Sequence, residues 1–226
     1  MFINKVFIGG DLDGSEGGAK AGLLRVRGGI GSVVVKGSVN GGADLSGSVV
    51  GGSVGKITIG GGLTSADPAK PVTIGALGNL DAANATDAVA IKKLIVGGAV
   101  LNAQILAGYK RDLTPFNPDA SIGKINVGGN WSASSVAAGV ADSTHDGFGH
   151  NDTLIAGDTT PALLAQIASI IIAGTATGSA AAGDFFGITA QQVASAKIHG
   201  SAIAFTTNKE DLNLDPANGD FRLVEV

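Results

Sequence analysis

The sequence predicts an all-β protein, a single-stranded parallel β-helix (β-solenoid) of about six or seven turns with loop insertions and a polar C-terminal cap. Two observations support this prediction: a short strand motif ending in glycine recurs along the chain, and small residues dominate the composition. Glycine makes up 37 of the 226 residues and aromatic residues only 4%, while hydrophobic residues reach 44%. We expect the solenoid over residues 1–205 and the cap over residues 206–226.

The repeated motif is an apolar residue, any residue, a β-branched apolar residue, any residue and a glycine. Its alternation is typical of a strand with one buried face, and the closing glycine permits a bend. The copies occupy residues 6–10, 24–28, 33–37, 57–61, 94–98, 125–129, 170–174 and, less clearly, 196–200. They predict eight short strands that each end in a similar corner.

A second motif follows the first at a nearly constant distance. Its copies occupy residues 48–52, 104–108, 135–139 and 153–157. A unit of two or three such strands is too small to bury its own apolar face, so successive units are expected to stack in parallel. Evenly spaced short strands are also compatible with an antiparallel sandwich. The shared glycine ending favours the β-helix.

The remaining segments are predicted as loops, apart from one short helix. Thr160 is a suitable cap and Pro161 suits the first helical position, which predicts a helix over residues 160–166. Loops are expected over residues 64–72, 78–89, 110–120 and 141–151. The polar tail is expected to cap the last turn or to form a final strand at residues 221–224. The first strand would leave an open parallel edge, so further turns or another chain are expected to cover it.

Composition narrows the classes of partner. A net charge of −4 argues against nucleic acid, and the absence of cysteine excludes disulfides and thiolate metal sites. Residues 1–6 lack the pattern of a secretion signal. The uncharged segment 159–183 contains Pro161 and several glycines, so no membrane span is expected there.

One loop collects residues that ligate metals. Within eleven positions it contains Asp142, Asp146, Asp152, Asn151, His145 and His150. Calcium would take the carboxylates Asp142, Asp146 and Asp152 with the asparagine, backbone oxygens and water. Zinc would prefer the two histidines with an aspartate. A solvated turn held by local hydrogen bonds explains the same residues without a metal. The expected cofactor is therefore none, or calcium at this loop.

Several phrases of the sequence resemble a known family. They are IGKINVGG at residues 122–129, SSVAAGV at 134–140, DGFG at 146–149, DFFGITA at 184–190 and the ending RLVEV. In their order they are similar to the glycine-rich solenoid segments near the C-terminus of very large secreted or surface proteins of planctomycete-type bacteria. The resemblance implies an extracellular or cell-surface location, a non-enzymatic role and no catalytic residues.

The function expected from the sequence is that of a structural or adhesin-like module. The first alternative is a carbohydrate-binding or polysaccharide-degrading β-helix, which would need carboxylates from neighbouring turns on one face. The second is a filament subunit that self-associates through its N-terminal edge. The expected partners are accordingly a surface glycan or a second copy of the chain. Trp131 is interpreted either as a surface stacking residue for sugars or as a packing residue.

Overall fold

The computed structural model describes residues 1–158, 160–206, 209–215, 217 and 219–226. Over these residues the chain forms 25 strands and no helix. In chain order the strands are β1 Phe2–Ile8, β2 Leu12–Asp13, β3 Leu24–Arg25, β4 Gly29–Val35, β5 Val39–Gly41, β6 Val49–Gly51, β7 Ser53–Ile59, β8 Leu63–Ser65, β9 Val72–Ala76, β10 Val89–Val96, β11 Val100–Leu101, β12 Ala103–Ala107, β13 Ser121–Val127, β14 Trp131–Ser132, β15 Ser135–Ala138, β16 Val140–Ala141, β17 Thr153–Leu154, β18 Gln166–Ile172, β19 Ala176–Thr177, β20 Phe186–Ala190, β21 Gln192–Val193, β22 Ala196–Ile198, β23 Ser201–Ala202, β24 Asp211–Asn213 and β25 Phe221–Glu225.

The strands form three large sheets that the chain visits in rotation. Sheet 1 has the order β1-β4-β7-β10-β13-β18-β22-β23, with β21 also paired to β18. Sheet 2 has the order β2-β5-β8-β11-β14-β19, and sheet 3 has the order β3-β6-β9-β12-β15-β20-β25-β24. Neighbouring strands are parallel throughout, except for the terminal pairs β22-β23 and β24-β25. The structure is therefore all-β with parallel sheets, consistent with the β-helix class, and the antiparallel sandwich is wrong.

Seven of the eight copies of the first motif lie in sheet 1, where their apolar positions are in register. Val33, Ile57, Leu94, Ile125 and Ile170 occupy equivalent places on successive strands. The copy at residues 24–28 is an exception, because β3 pairs with β6 in sheet 3. Sheet 3 also contains the second-motif copies at 48–52, 104–108 and 135–139. The assignment of residues 153–157 as a copy of the second motif is wrong, since β17 pairs antiparallel with β16 outside the three sheets.

Residues of all three sheets contribute to one apolar core. Sheet 3 contributes a second ladder with Ile74, Ile105, Val136 and Ile188, all fully buried. Sheet 2 contributes a third ladder, in which Val100 stands beside Trp131. Because side chains alternate between the two faces of a strand, each strand contributes only a few inward side chains, and aliphatic residues of similar size fill each layer. The thin core expected from the composition is thus built from three ladders.

The helix predicted over residues 160–166 is wrong. Pro161 and the residue after it form a turn, in which the Leu163 N–H donates to the Thr160 carbonyl at 2.7 Å. The Thr160 hydroxyl donates to Asp119 at 2.6 Å. Strand β18 begins at Gln166 to pair with β13, so too few residues remain for helical turns.

The two ends of the sheets differ. Strand β25 pairs in parallel with β20, which confirms a final strand at residues 221–224, and β24 flanks it antiparallel. At the other end β1 is the edge of sheet 1, with Phe2 66% and Phe7 58% exposed. No helix in the described part of the chain has the length and apolar character to cross a bilayer.

Candidate functional site

We call residues 142–152, which contain Asp142, Asp146 and Asp152, the acidic loop. This loop lies against the outer face of sheet 3. Side chains of that face, Leu106 and Ala137, pack with Tyr109, Phe148 and Ile155 in a buried apolar cluster. The rings of Tyr109 and Phe148 meet edge to face at 6.5 Å. The Tyr109 hydroxyl donates to the Val140 carbonyl at 2.6 Å, and its burial raises the pKa well above the ordinary value. The loop is therefore anchored on a rigid sheet.

Two of the three carboxylates form hydrogen bonds within their own loop, Asp142 with the backbone and Asp146 with side chains. Asp142 accepts hydrogen bonds from the His145 N–H at 2.6 Å and from the Gly147 N–H at 3.0 Å. Asp146 accepts one from the Thr144 hydroxyl at 2.5 Å and pairs with His150 Nδ1 at 3.0 Å. The Thr144 hydroxyl, followed by His150, lowers the pKa of Asp146. Local donors thus stabilise the ionised form of Asp146.

Asp152 has a different environment. One of its oxygens accepts from the Gly149 N–H at 2.6 Å, whereas Oδ1 is buried without a hydrogen-bond partner among the described residues. Burial, with smaller contributions from Asp142 and Asp146, raises the pKa of Asp152 to about 7. The buried hydroxyl of Thr189 lies close enough to lower that pKa slightly, although the two groups form no well-aligned hydrogen bond. This carboxyl therefore titrates near neutrality.

The Asp152→Asn variant is expected to be more stable than the wild type at pH 8 by about 1–2 kcal/mol, given that the carboxyl is partly exposed. Because the folded pKa is about 7 against 3.8 for the free group, the folded state holds a proton between these values. The wild type consequently loses stability as the pH rises through this range, and the neutral amide does not. Urea unfolding at pH 5 and pH 8 measures the difference.

The matched control is Asp142→Asn in the same loop. Both oxygens of Asp142 accept backbone N–H groups, so an amide turns one acceptor into a donor. This variant is expected to lose about 1 kcal/mol at both pH values. An equal change for Asp152→Asn at pH 5 and pH 8 would contradict the shifted pKa.

The acidic loop contains no preformed set of ligands for calcium or zinc among the described residues. No group of three or more His, Asp or Glu side chains stands ready for a metal ion among the described residues. The carboxylates of Asp142, Asp146 and Asp152 instead bind N–H and O–H donors of their own loop. His150 stacks on Phe185 at 4.1 Å between ring centroids. The local hydrogen bonds expected of a turn are thus present, and calcium or zinc at this loop stays a hypothesis.

A groove of about 380 Å³ runs beside the loop. Asp142, Asp146 and Asp184 line it together with His145, while Gln104 and Ser135 of sheet 3 also contribute. The groove thus brings carboxylates of two insertions, the one after β16 and the one before β20, to one surface. Both oxygens of Asp142 also accept backbone N–H groups of the acidic loop.

A second acidic cluster was not predicted from the sequence. Asp220 accepts from the Ser179 N–H at 2.7 Å, Asp184 from the Ser179 hydroxyl at 2.7 Å, and Asp215 from the Gly178 N–H at 3.1 Å. Burial first, then Asp215 and Asp184, raises the pKa of Asp220. Asp215 and Asp220 lie between β24 and β25, whereas Asp184 precedes β20. This separation along the chain leaves no sequence motif that would predict the cluster.

Trp131 is a packing residue. Its side chain is fully buried, and Nε1 donates to the Ser134 carbonyl at 2.8 Å. The interpretation as a surface stacking residue for sugars is wrong. Tyr109 and Phe148 are likewise buried, which leaves Phe116 as the exposed aromatic side chain of the central insertions.

Comparison with known proteins assigns this chain to no protein family. The sequence matches no family model, and no curated protein or solved structure is similar to it at a significant level. Fold and site geometry therefore carry the functional argument.

Proposed function

We propose that this chain is a three-sided parallel β-helix that serves as a non-enzymatic structural or adhesin-like module of a bacterial secreted or cell-surface protein. The observation that carries the proposal is the rotation of the strands through sheets 1, 2 and 3. Strands β1 to β15 and β18 to β20 make six such rounds, and β22 and β25 begin a seventh. At about 4.8 Å per turn this gives a rod about 30 Å long.

The physical basis of such a module is the continuous hydrogen bonding between successive turns. Each turn pairs with the next through parallel ladders in all three sheets, so that stiffness accumulates along the axis. The three interior ladders share one core, and the described carboxylates lie mainly in the insertions. Such a rod suits the display or spacing of other parts of a surface protein. The resemblance of several sequence phrases to those of large planctomycete-type surface proteins supports the same location.

The runner-up is a carbohydrate-binding or polysaccharide-degrading β-helix, favoured by the groove that Asp142, Asp146 and Asp184 line. Incubation with neutral and uronic-acid polysaccharides, followed by an assay for new reducing ends, separates the non-enzymatic module from a polysaccharide-degrading enzyme. The non-enzymatic module releases none. Product release that is lost in the Asp184→Asn variant, but retained in Asp211→Asn, would overturn it. Asp211 is a suitable control because it pairs with Arg222 at an exposed site.

Self-association is a further candidate, favoured by the exposed Phe2 and Phe7 on edge strand β1. A second copy pairing along this edge would extend sheet 1. Sedimentation velocity over a wide concentration range is the test. A monomer at every concentration would remove this candidate, and concentration-dependent growth abolished by Phe7→Lys would support it.

Calcium binding at Asp142, Asp146 and Asp152 is proposed as a property of the loop. At a calcium concentration of about 100 times the dissociation constant, binding to the folded state alone adds about 2.7 kcal/mol, or a melting-temperature rise of about 5–10 °C. Thermal melts with calcium, with zinc and with a chelator make the measurement, and Asp146→Asn is expected to abolish the rise. No shift at millimolar calcium would end the hypothesis, and a shift with zinc alone would favour the two histidines.

A further inference from the structure

The charges of the chain are unevenly distributed over its sheets. The seven parallel strands β1, β4, β7, β10, β13, β18 and β22 contain six lysines and neither aspartate nor glutamate. The chain as a whole nevertheless has a net charge of −4. The lysines of these strands are Lys5, Lys56, Lys92, Lys93, Lys124 and Lys197. Sheet 1 is therefore a basic face on an acidic protein.

The strand register aligns three of these lysines in one row. Lys56 of β7 is the register partner of Lys93 in β10, and Lys93 is the partner of Lys124 in β13. Neighbouring strands place them about 4.8 Å apart at the backbone. The residue after each lysine is buried in the core, whereas Lys56 and Lys124 are exposed and Lys93 is half-buried. We call Lys56, Lys93 and Lys124 the lysine row.

The lysine row forms no ion pair with any residue that the structure describes. In the described part of the molecule the ion pairs are Arg222 with Asp211 and His150 with Asp146, and neither involves a lysine. Like charges on neighbouring strands repel each other, so the row costs stability. A feature that weakens the fold without local compensation points to a role outside it.

The residues beside the row are compatible with a polar, linear ligand. The next outward positions along the same strands are Thr58, Ile95 and Asn126. The buried oxygens Thr58 Oγ1 and Asn126 Oδ1 have no hydrogen-bond partner among the described residues. Both oxygens are shielded from solvent, so the row presents its aligned ammonium groups to a ligand, and strands β7, β10 and β13 contain no carboxylate that would repel an anion.

We infer that the lysine row binds a linear polysaccharide that bears carboxylates along its chain. Charge complementarity carries this choice, because a row of point charges matches a row of anions and local rather than net charge sets the attraction. Nucleic acid fits less well, since the strands around the row offer no aromatic side chain for base stacking and no arginine. The inference rests on the strand register and goes beyond the proposed scaffold role.

The test is binding of sodium alginate by isothermal titration calorimetry at several salt concentrations, with neutral dextran as the reference polymer. The variant carries Lys56→Gln, Lys93→Gln and Lys124→Gln. Its matched control carries Lys20→Gln, Lys70→Gln and Lys209→Gln, three exposed lysines of loops and tail that change the net charge equally. We expect alginate affinity to fall with salt, and to fall at least about tenfold in the row variant but less than about twofold in the control.

Several results would overturn the inference. These are equal losses in the two triple variants, equal binding of dextran, tighter binding of single- or double-stranded DNA than of alginate, or no alginate binding at low salt. Thermal melts of both variants establish that the fold is retained. Because the reducing-end assay reports cleavage and calorimetry reports binding, failure of this inference is distinguishable from failure of the proposed non-enzymatic function.

Discussion

Replacement of Trp131 by alanine is expected to lower the free energy of unfolding by about 3–5 kcal/mol. The indole is fully buried and stands in the sheet 2 ladder between Val100 and Ala176. Truncation leaves a cavity that the flanking turns cannot close, since each is held by ladders in the other two sheets. Urea unfolding followed by far-ultraviolet circular dichroism is the measurement. Fluorescence is unsuitable because this is the single tryptophan.

Trp131→Phe is the control for that experiment. It retains an aromatic ring but removes the Nε1 donor to the Ser134 carbonyl, so a loss of about 1–2 kcal/mol is expected. If the alanine variant lost less than the phenylalanine variant, Trp131 would not be the core residue described above.

Gly97→Ala is expected to destabilise the fold by about 2–4 kcal/mol or to prevent folding. A Cβ at this corner would lie 2.3 Å from the Gly60 carbonyl oxygen of the preceding turn. Gly128 repeats the relation, since its Cβ would lie 2.3 Å from the Gly97 oxygen. The corners thus stack backbone on backbone. An added methyl group must push two turns apart and strain the hydrogen bond from the Gly97 N–H to the Ile59 carbonyl at 2.8 Å.

Gly75→Ala is the matched control, because Gly75 lies within strand β9 and an added Cβ would make only ordinary van der Waals contacts there. The nearest atom to an added Cβ is Val50 Cγ1 at 3.5 Å, an ordinary contact. Here the loss of unfolded-state freedom favours alanine, so a change between zero and a gain of about 1 kcal/mol is expected. Thermal unfolding of the two variants compares them directly. Similar melting temperatures would mean that close stacking at the corners does not limit side-chain size.

The repeat could be read from the sequence because its glycine corners and alternating apolar residues are local signals. The strands of sheet 2 were not predicted, since all six have only two or three residues, too few to show a periodicity. The copy at residues 24–28 has the same local pattern as those of sheet 1. Its place in sheet 3 depends on pairing with β6, which no local pattern contains.

For the acidic loop, too, the sequence predicted some features and the folded structure decided others. Its residue types were recognisable in the sequence, and Asp142, Asp146 and Asp152 do lie in one insertion. Their individual roles were not, because the partners are backbone N–H groups whose direction the folded loop decides. For Asp152 the decisive factor is burial, which raises the pKa of its carboxyl to about 7. Sequence spacing carries no information on burial of this kind.

By itself the sequence determined an all-β chain of short repeated strands, since alternation and glycine corners act over five residues. The tertiary structure decided which strands became neighbours. Insertions of unequal length separate the turns, so that Lys56, Lys93 and Lys124 have no constant spacing in the chain. Only parallel pairing brings them into one row. Stacking converts distant residues into a surface, because hydrogen-bond register rather than sequence separation sets their distance.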